Sequence, residues 1–225
     1  MTVAVVLLAA GAGARLDVGQ PKAFATLGGR TLLEHAYDNV ARHPAVGRVI
    51  VTAPALDTGR VAALVPTDTR IIAGGVTRQD SVRLALELLA VDHAVEIVLV
   101  HDAARPFVGA EVVDRVLAAL GQGADAVVPV LPVTDTIKRV DAAGRVLGTP
   151  DRRELRSVQT PQGFRLAALL SAHRYARTAG LRDVSDDAGL VERHGGRVVV
   201  VAGSEDAFKI TTSRDLRLAA LLLAT

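Results

Sequence analysis

The chain has 225 residues, half of them hydrophobic, enough to bury a sizeable core; with four Phe, two Tyr and no Trp, that core is aliphatic. It contains no cysteine, which excludes disulfide scaffolds, thiolate catalysis and Cys-ligated zinc. Lys plus Arg (26) exceed Asp plus Glu (24) by only two, with the charges scattered, so neither broad electrostatic binding of nucleic acid nor an aromatic base-stacking platform is expected.

In chain order, Val3–Ala9 comes first, a continuous Val-rich run that reads as a strand buried on both faces. The apolar stretch from Val3 to Ala14 is twelve residues long and includes two glycines. A membrane span needs roughly 18, and no basic segment precedes the stretch as in a signal peptide, so the expected location is the cytoplasm. The strand breaks at Gly11-Ala12-Gly13, and a helix follows over Leu32–Arg42. Arg48–Thr52 reads as a strand, the region around Val61 as a weak helix, and Arg70–Ala73 as a short strand. Ser81–Leu89 is helical with Asp80 or Ser81 as its cap, Glu96–His101 is a buried strand, Glu111–Leu120 a helix and Ala126–Val130 a strand. Such alternation predicts a doubly wound, mostly parallel α/β sheet.

Between Val133 and Thr160 the rhythm changes to short polar β-like stretches around a turn at Asp141-Ala142-Ala143-Gly144, the pattern of a hairpin arm. Helices at Leu166–Thr178 and Asp186–Glu192, a strand at Arg197–Ala202 and a helix from Ser213 close the chain. The layout is a single domain over residues 1–225 with an arm inserted at about 133–160.

Ligands of open parallel sheets bind beyond the carboxyl ends of the strands. The first such end reads Leu8-Ala9-Ala10-Gly11-Ala12-Gly13-Ala14-Arg15, followed by Gln20-Pro21-Lys22. Glycines allow backbone N–H groups close to an anion, and Arg15 and Lys22 add positive charge. The third glycine of the dinucleotide fingerprint is missing, since Ala14-Arg15-Leu16 follows Gly13, which weakens a dehydrogenase reading. Another strand end reads His101-Asp102-Ala103-Ala104-Arg105-Pro106, whose acidic residue either is placed to hold Mg²⁺ against phosphates or caps a helix beside a salt-bridged Arg. Only three residues are lysines, Lys22, Lys138 and Lys209, in a chain otherwise tilted toward Arg. A position that keeps Lys suits a compact ammonium close to a phosphate.

The opening LLAAGAGARL…PKAFATLGGRTLLEHA resembles the sugar-nucleotide pyrophosphorylase-like nucleotidyltransferases. The block HDAARP, then Asp135-Thr136-Ile137-Lys138, Thr160-Pro161-Gln162-Gly163-Phe164, Ser185-Asp186-Asp187 and Phe208-Lys209-Ile210-Thr211, resembles the 2-C-methyl-D-erythritol 4-phosphate cytidylyltransferases along nearly the whole chain. All three lysines fall inside these motifs.

The resemblance implies transfer of CMP from CTP to methylerythritol phosphate, with Mg²⁺ bound mainly through the CTP phosphates. It implies that Arg15, Lys22 and Lys209 neutralise charge at the α-phosphate, and that Ala9, Ala10, Gly11, Ala12 and Gly13 wrap the triphosphate. The Gly74-Gly75 turn with Arg78, Asp80 and Ser81 would help recognise cytosine. Asp102 would lie near Mg²⁺, as a ligand or through an intervening group. Asp102, Arg105, Thr136, Arg152, Thr160 and Ser185 would bind the methylerythritol phosphate; position 185 carries Ser where Thr is more usual, which keeps the hydroxyl. The arm would clasp a second subunit in a homodimer and place Thr136 and Arg152 in the neighbour's site. His101 reads as structural. Two other readings stand beside this one, a ribitol 5-phosphate cytidylyltransferase with the same fold and a nucleotide-binding module without turnover.

Overall fold

The computed structural model describes residues 2–11, 19–182 and 184–223. In chain order the elements are β1 (Thr2–Leu8), β2 (Thr26–Leu27), β3 (Arg30–Thr31), α1 (Leu32–Ala41), β4 (Val46–Ala53), α2 (Thr58–Ala62) and β5 (Arg70–Ala73). They continue with α3 (Arg78–Leu89), β6 (Val95–Asp102), α4 (Ala110–Gly121), β7 (Ala126–Pro132), β8 (Arg139–Val140), β9 (Val146–Gly148) and β10 (Arg156–Val158). Last come β11 (Gln162–Arg165), α5 (Leu166–Thr178), α6 (Ala188–Arg193), β12 (Val198–Ala202) and α7 (Ser213–Leu222).

The central sheet runs β5-β4-β1-β6-β11-β7-β12, with β10 pairing the last residues of β7. Strands β1, β4, β5 and β6 are mutually parallel, β7 and β12 are parallel to each other, and β10 and β11 run antiparallel to their neighbours. The chain builds outward in opposite directions on the two sides of β1, which makes the β1/β6 seam the point where strand order reverses. A doubly wound, mostly parallel sheet is therefore what the alternating pattern builds.

Strand β1 shows why both faces are covered. Val3, Val5 and Leu7 face a core completed by Leu33, Ala36 and Val40 of α1 and Val112, Val113, Val116 and Leu120 of α4. Ala4 and Val6 face the opposite core, with Val82, Ala85 and Leu86 of α3 and Leu169 and Ala172 of α5. Side chains alternate across a strand, so an unbroken Val/Leu run can serve only a strand buried on both sides.

Helix α3 and strand β11 are among the elements that differ from the sequence pattern. Helix α3 begins at Arg78, three residues before the expected start, because Thr77 is its cap: the Thr77 hydroxyl accepts the Asp80 amide and the Asp80 carboxylate accepts the Thr77 amide. Strand β11, only four residues long and carrying Gln, Gly and Arg, has no apolar signature of its own, yet it is sandwiched between β6 and β7. The arm leaves β7 at Pro132, forms the separate β8–β9 ribbon with Gly144 at φ 78° in its turn, and returns through β10. No helix among the described residues is long and apolar enough to cross a membrane.

Candidate active site

The register sets three strand ends level, since Leu8 pairs with both Thr52 of β4 and Asp102 of β6. The Ala9 amide reaches the Thr52 carbonyl at 2.9 Å, and the Ala103 amide reaches that of Leu8 at 3.0 Å. Above this shelf lies a cavity of about 430 Å³ whose lining includes Ala9, Ala10, Gly11, Lys22, Gly75, Arg78, Ser81, Asp102 and Lys209. A second cavity, about 250 Å³, is lined by Arg105, Thr160, Gln162, Ser185 and Asp186, and shares Arg78, Asp102 and Lys209 with the first. The site is thus two chambers with a common wall, and that wall carries the ions.

Asp102 is the hinge of that wall. Its Oδ2 accepts from Lys209 Nζ at 2.6 Å, and its Oδ1 lies 3.6 Å from Arg78 Nε. Burial alone would raise the carboxyl pKa; the Lys209 ammonium and then the Arg78 guanidinium hold it well below the usual carboxylate range. Arg78 is braced from behind by Asp187, whose Oδ2 accepts from Arg78 Nη1 at 2.5 Å while its Oδ1 lies 3.1 Å from His173 Nε2. Asp187 is itself buried, and Arg78 and His173 outweigh that burial to keep it ionised.

Each cation is placed by its apolar neighbours. Lys22 opens a short 3-10 turn whose next two residues, Ala23 and Phe24, are buried, so the backbone is anchored while the lysine lines the chamber. Lys209 sits beside Ile210, which is buried against Leu27, Leu32 and Ala219 and whose amide bonds the Ala104 carbonyl at 2.8 Å. The Gln159 side-chain amide pairs with both backbone groups of Ser204, fixing the segment that leads to Lys209. Arg105 donates to the carbonyls of Ala207 (2.8 Å) and Val158 (3.1 Å).

The Gly74-Gly75 turn has no room for side chains. A Cβ on Gly74 would lie 2.5 Å from Ala10 Cβ, and one on Gly75 would lie 2.3 Å from Asp80 Cβ. The Gly75 amide donates to Ser81 Oγ at 3.0 Å, so Ser81 ties the turn to α3. Asp80 does not line the first chamber; its carboxylate caps α3. Thr160 reaches the second chamber, but its hydroxyl is already bonded to His101 Nδ1 (2.9 Å) and to the Asp102 amide (3.1 Å). Ser185 lines the second chamber.

Thr136 and Arg152 are exposed on the arm and line neither chamber of their own chain; Arg152 Nη1 donates to the Thr134 carbonyl. Ala12, Gly13 and Arg15 lie outside the described residues. The sequence motifs do not include His173 and do not show that Asp187 braces Arg78 across 109 positions. The Ser185-Asp186-Asp187 motif was the one signal for the latter.

The donor set also speaks to a metal. Among the described residues no three His, Asp or Glu side chains cluster as a metal cage, and both oxygens of Asp102 face cations. Mg²⁺ commonly takes one or two carboxylates plus phosphate oxygens and water, and the carboxylate that the two chambers share is that of Asp102.

A family model described as IspD, 2-C-methyl-D-erythritol 4-phosphate cytidylyltransferase, matches residues 3–225. A protein of Frankia casuarinae named 2-C-methyl-D-erythritol 4-phosphate cytidylyltransferase is 49% identical over 222 residues, spanning 99% of this chain and 81% of its own. The crystal structure of the 2-C-methyl-D-erythritol 4-phosphate cytidylyltransferase from Thermus thermophilus is 41% identical with a TM-score of 0.80, each chain covered in full. That of the 4-diphosphocytidyl-2C-methyl-D-erythritol synthase from Anaerococcus prevotii is 29% identical with a TM-score of 0.85, covering 100% of this chain and 96% of the other.

Proposed function

The chain belongs to the 2-C-methyl-D-erythritol 4-phosphate cytidylyltransferase (IspD) family, and from that premise we propose that it transfers the cytidylyl group of CTP to 2-C-methyl-D-erythritol 4-phosphate. The observation that carries the reading onto this chain's residues is the shared wall. Two chambers meet at Arg78, Asp102 and Lys209, which suits a nucleotide on one side and a phosphorylated acceptor on the other.

The chemistry asks for charge, not for a base. A phosphate monoester has its second pKa near 6, so at pH 7 the acceptor oxygen is already a largely deprotonated nucleophile. It attacks the α-phosphorus of CTP; the new P–O bond forms as the bond to the β-phosphate oxygen breaks, and pyrophosphate leaves with the electron pair. Catalysis is then alignment plus neutralisation of crowded negative charge. In this reading Lys22 and Lys209, which line one cavity, neutralise charge at the α-phosphate, and Ala9, Ala10 and Gly11 border the triphosphate; the family resemblance gives Arg15 the same task as the lysines and Ala12 and Gly13 the same task as Gly11. Mg²⁺ supplies further neutralisation when bound, with Asp102 near the ion. Gly75, Arg78 and Ser81 frame the space for the pyrimidine, and Arg105 and Ser185 present polar groups to the acceptor.

The arm completes the site in a homodimer. Its Ile137, Val140, Val146 and Leu147 are all exposed, an apolar set that a single copy leaves in water and a second copy would cover. Thr136 and Arg152 would then enter the partner's acceptor chamber. The test is pyrophosphate release from CTP and Mg²⁺ with 2-C-methyl-D-erythritol 4-phosphate, run beside ribitol 5-phosphate. Preferential release with the former, lost in Lys22→Ala, supports the reading. Release with ribitol 5-phosphate alone overturns the acceptor, and silence with both from protein that still binds CTP overturns turnover itself.

A further inference from the structure

We propose that His101 is a positioning residue: its imidazole, acting through the Thr160 hydroxyl, fixes the backbone at Asp102 and so the carboxylate shared by Lys209 and Arg78. The proposal deepens the cytidylyltransfer reading and uses that reading for its rate measurements, while its geometry stands apart from it.

The hydrogen bonds leave one arrangement. His101 is fully buried at the end of β6, and its Nε2 lies 3.1 Å from the Arg105 carbonyl. A carbonyl only accepts, so Nε2 carries the proton and Nδ1 is a bare lone pair. Thr160 Oγ1, 2.9 Å from Nδ1, must therefore donate to it. The Asp102 amide, 3.1 Å from the same Oγ1, donates to the oxygen's lone pair. The relay runs in one direction: Asp102 N–H to Thr160 O–H to His101, and His101 N–H to the Arg105 carbonyl.

This closes a clamp around the turn from Asp102 to Arg105, which also holds its own bond from the Arg105 amide to the Asp102 carbonyl at 2.9 Å. One ring thus spans both ends of the segment that presents Asp102 to the shared wall and Arg105 to the acceptor chamber. The clamp also consumes the one proton Thr160 can donate. Thr160 accordingly serves the acceptor chamber through Asp102 rather than by giving a hydrogen bond to substrate phosphate.

The experiment is a double-mutant cycle with His101→Leu, Thr160→Val and the double variant, alongside His101→Gln, which keeps one acceptor and one donor. Pyrophosphate release gives kcat and KM for each substrate, and CTP binding and thermal unfolding confirm folded protein. Each single variant should lower kcat about tenfold or more with KM for CTP changed less than about threefold. The double should match the worse single within about twofold, and His101→Gln should recover much of the loss. Multiplying losses in the double, or full kcat in His101→Leu, would overturn the relay. Imidazole ¹⁵N NMR supplies an arm independent of turnover. The wild-type ring should be the Nε2–H tautomer, with an Nδ1 resonance that moves in Thr160→Val; an Nδ1–H tautomer overturns the proposal. A wild type that releases no pyrophosphate would defeat the functional reading and leave the NMR arm to decide this one.

Discussion

Lys209 and Asp102, 2.6 Å apart, show how a site can store a cation before its anion arrives. An unpaired ammonium at this wall would draw solvent and wander among rotamers, whereas Asp102 holds it in one place, which in the proposed reading is beside the α-phosphate. The carboxylate can do this because Lys209 and Arg78 keep it ionised at any working pH. Removing one such donor from a transition-state charge site costs on the order of 10²–10³ in kcat, so Lys209→Ala should fall by about that much. Lys209→Arg should keep the pairing with Asp102 and regain little of the rate, because a planar fork cannot occupy the ammonium's close approach. Steady-state pyrophosphate release decides; near-normal turnover in Lys209→Ala would contradict the role. His101 offers a second test at this scale. Burial lowers its pKa from 6.5 to about 4, with Asp102 only partly opposing. Above pH 6.5 the ring is neutral in both folded and unfolded chains and has no pH-linked effect. As pH falls from 6.5 toward 4 the unfolded chain gains a proton that the folded one refuses, so stability is lost across that window, up to ~3 kcal/mol. Urea midpoints between pH 7 and 4.5 should drop more steeply in the wild type than in His101→Gln, and equal slopes would refute the assignment.

Elements were legible where one rule dominated and illegible where a neighbour decided. The β1 run and the apolar faces of α1 and α4 follow from periodicity because burial on fixed faces is what those residues do. The apolar pattern of α3 begins after its cap and so places the start late; the readable signal is Thr77 followed three residues later by Asp80. Strand β11 had no pattern to read, since its place is set by β6 and β7 rather than by its own side chains. The candidate site was legible through its local motifs, which gather Lys22, Asp102 and Lys209 into one cavity. It was not legible in the Asp187 brace, which needs the tertiary fold. Gly163 shows what a motif residue can be for. A Cβ there would sit 2.3 Å from Val116 Cγ1 and 3.0 Å from Leu120 Cδ1, so the glycine lets α4 lie directly on β11. Gly163→Ala should destabilise by about 1–3 kcal/mol through overpacking, seen as a lower denaturant midpoint with little change in KM. An unchanged midpoint would show that α4 yields without cost.

At the scale of the molecule the arm poses a problem of connectivity. The body brings Lys22, Asp102 and Lys209 together, while Thr136 and Arg152 stand exposed on the arm, whose β8–β9 ribbon pairs, among the described residues, with itself before the chain returns to β7 through β10. A two-stranded ribbon is marginal alone, and the exposed Val140, Val146 and Leu147 make it more so in water. If arms exchange between subunits of a two-fold dimer, each active site is assembled from one body and the other chain's arm. Two separately inactive variants should then complement. Lys22→Ala disables a body and leaves its arm intact; Arg152→Ala disables an arm and leaves its body intact. In a heterodimer of the two, one site receives both lesions and the other receives neither. A fully exchanged equimolar mixture should therefore recover about a quarter of wild-type activity, because half the dimers are mixed and each holds one intact site. Subunit exchange is followed independently by fluorescence transfer between labelled copies. Exchange without recovered activity, or an Arg152→Ala protein that turns over normally as a homodimer, would place the arm's function within its own chain and remove the reason for a shared site.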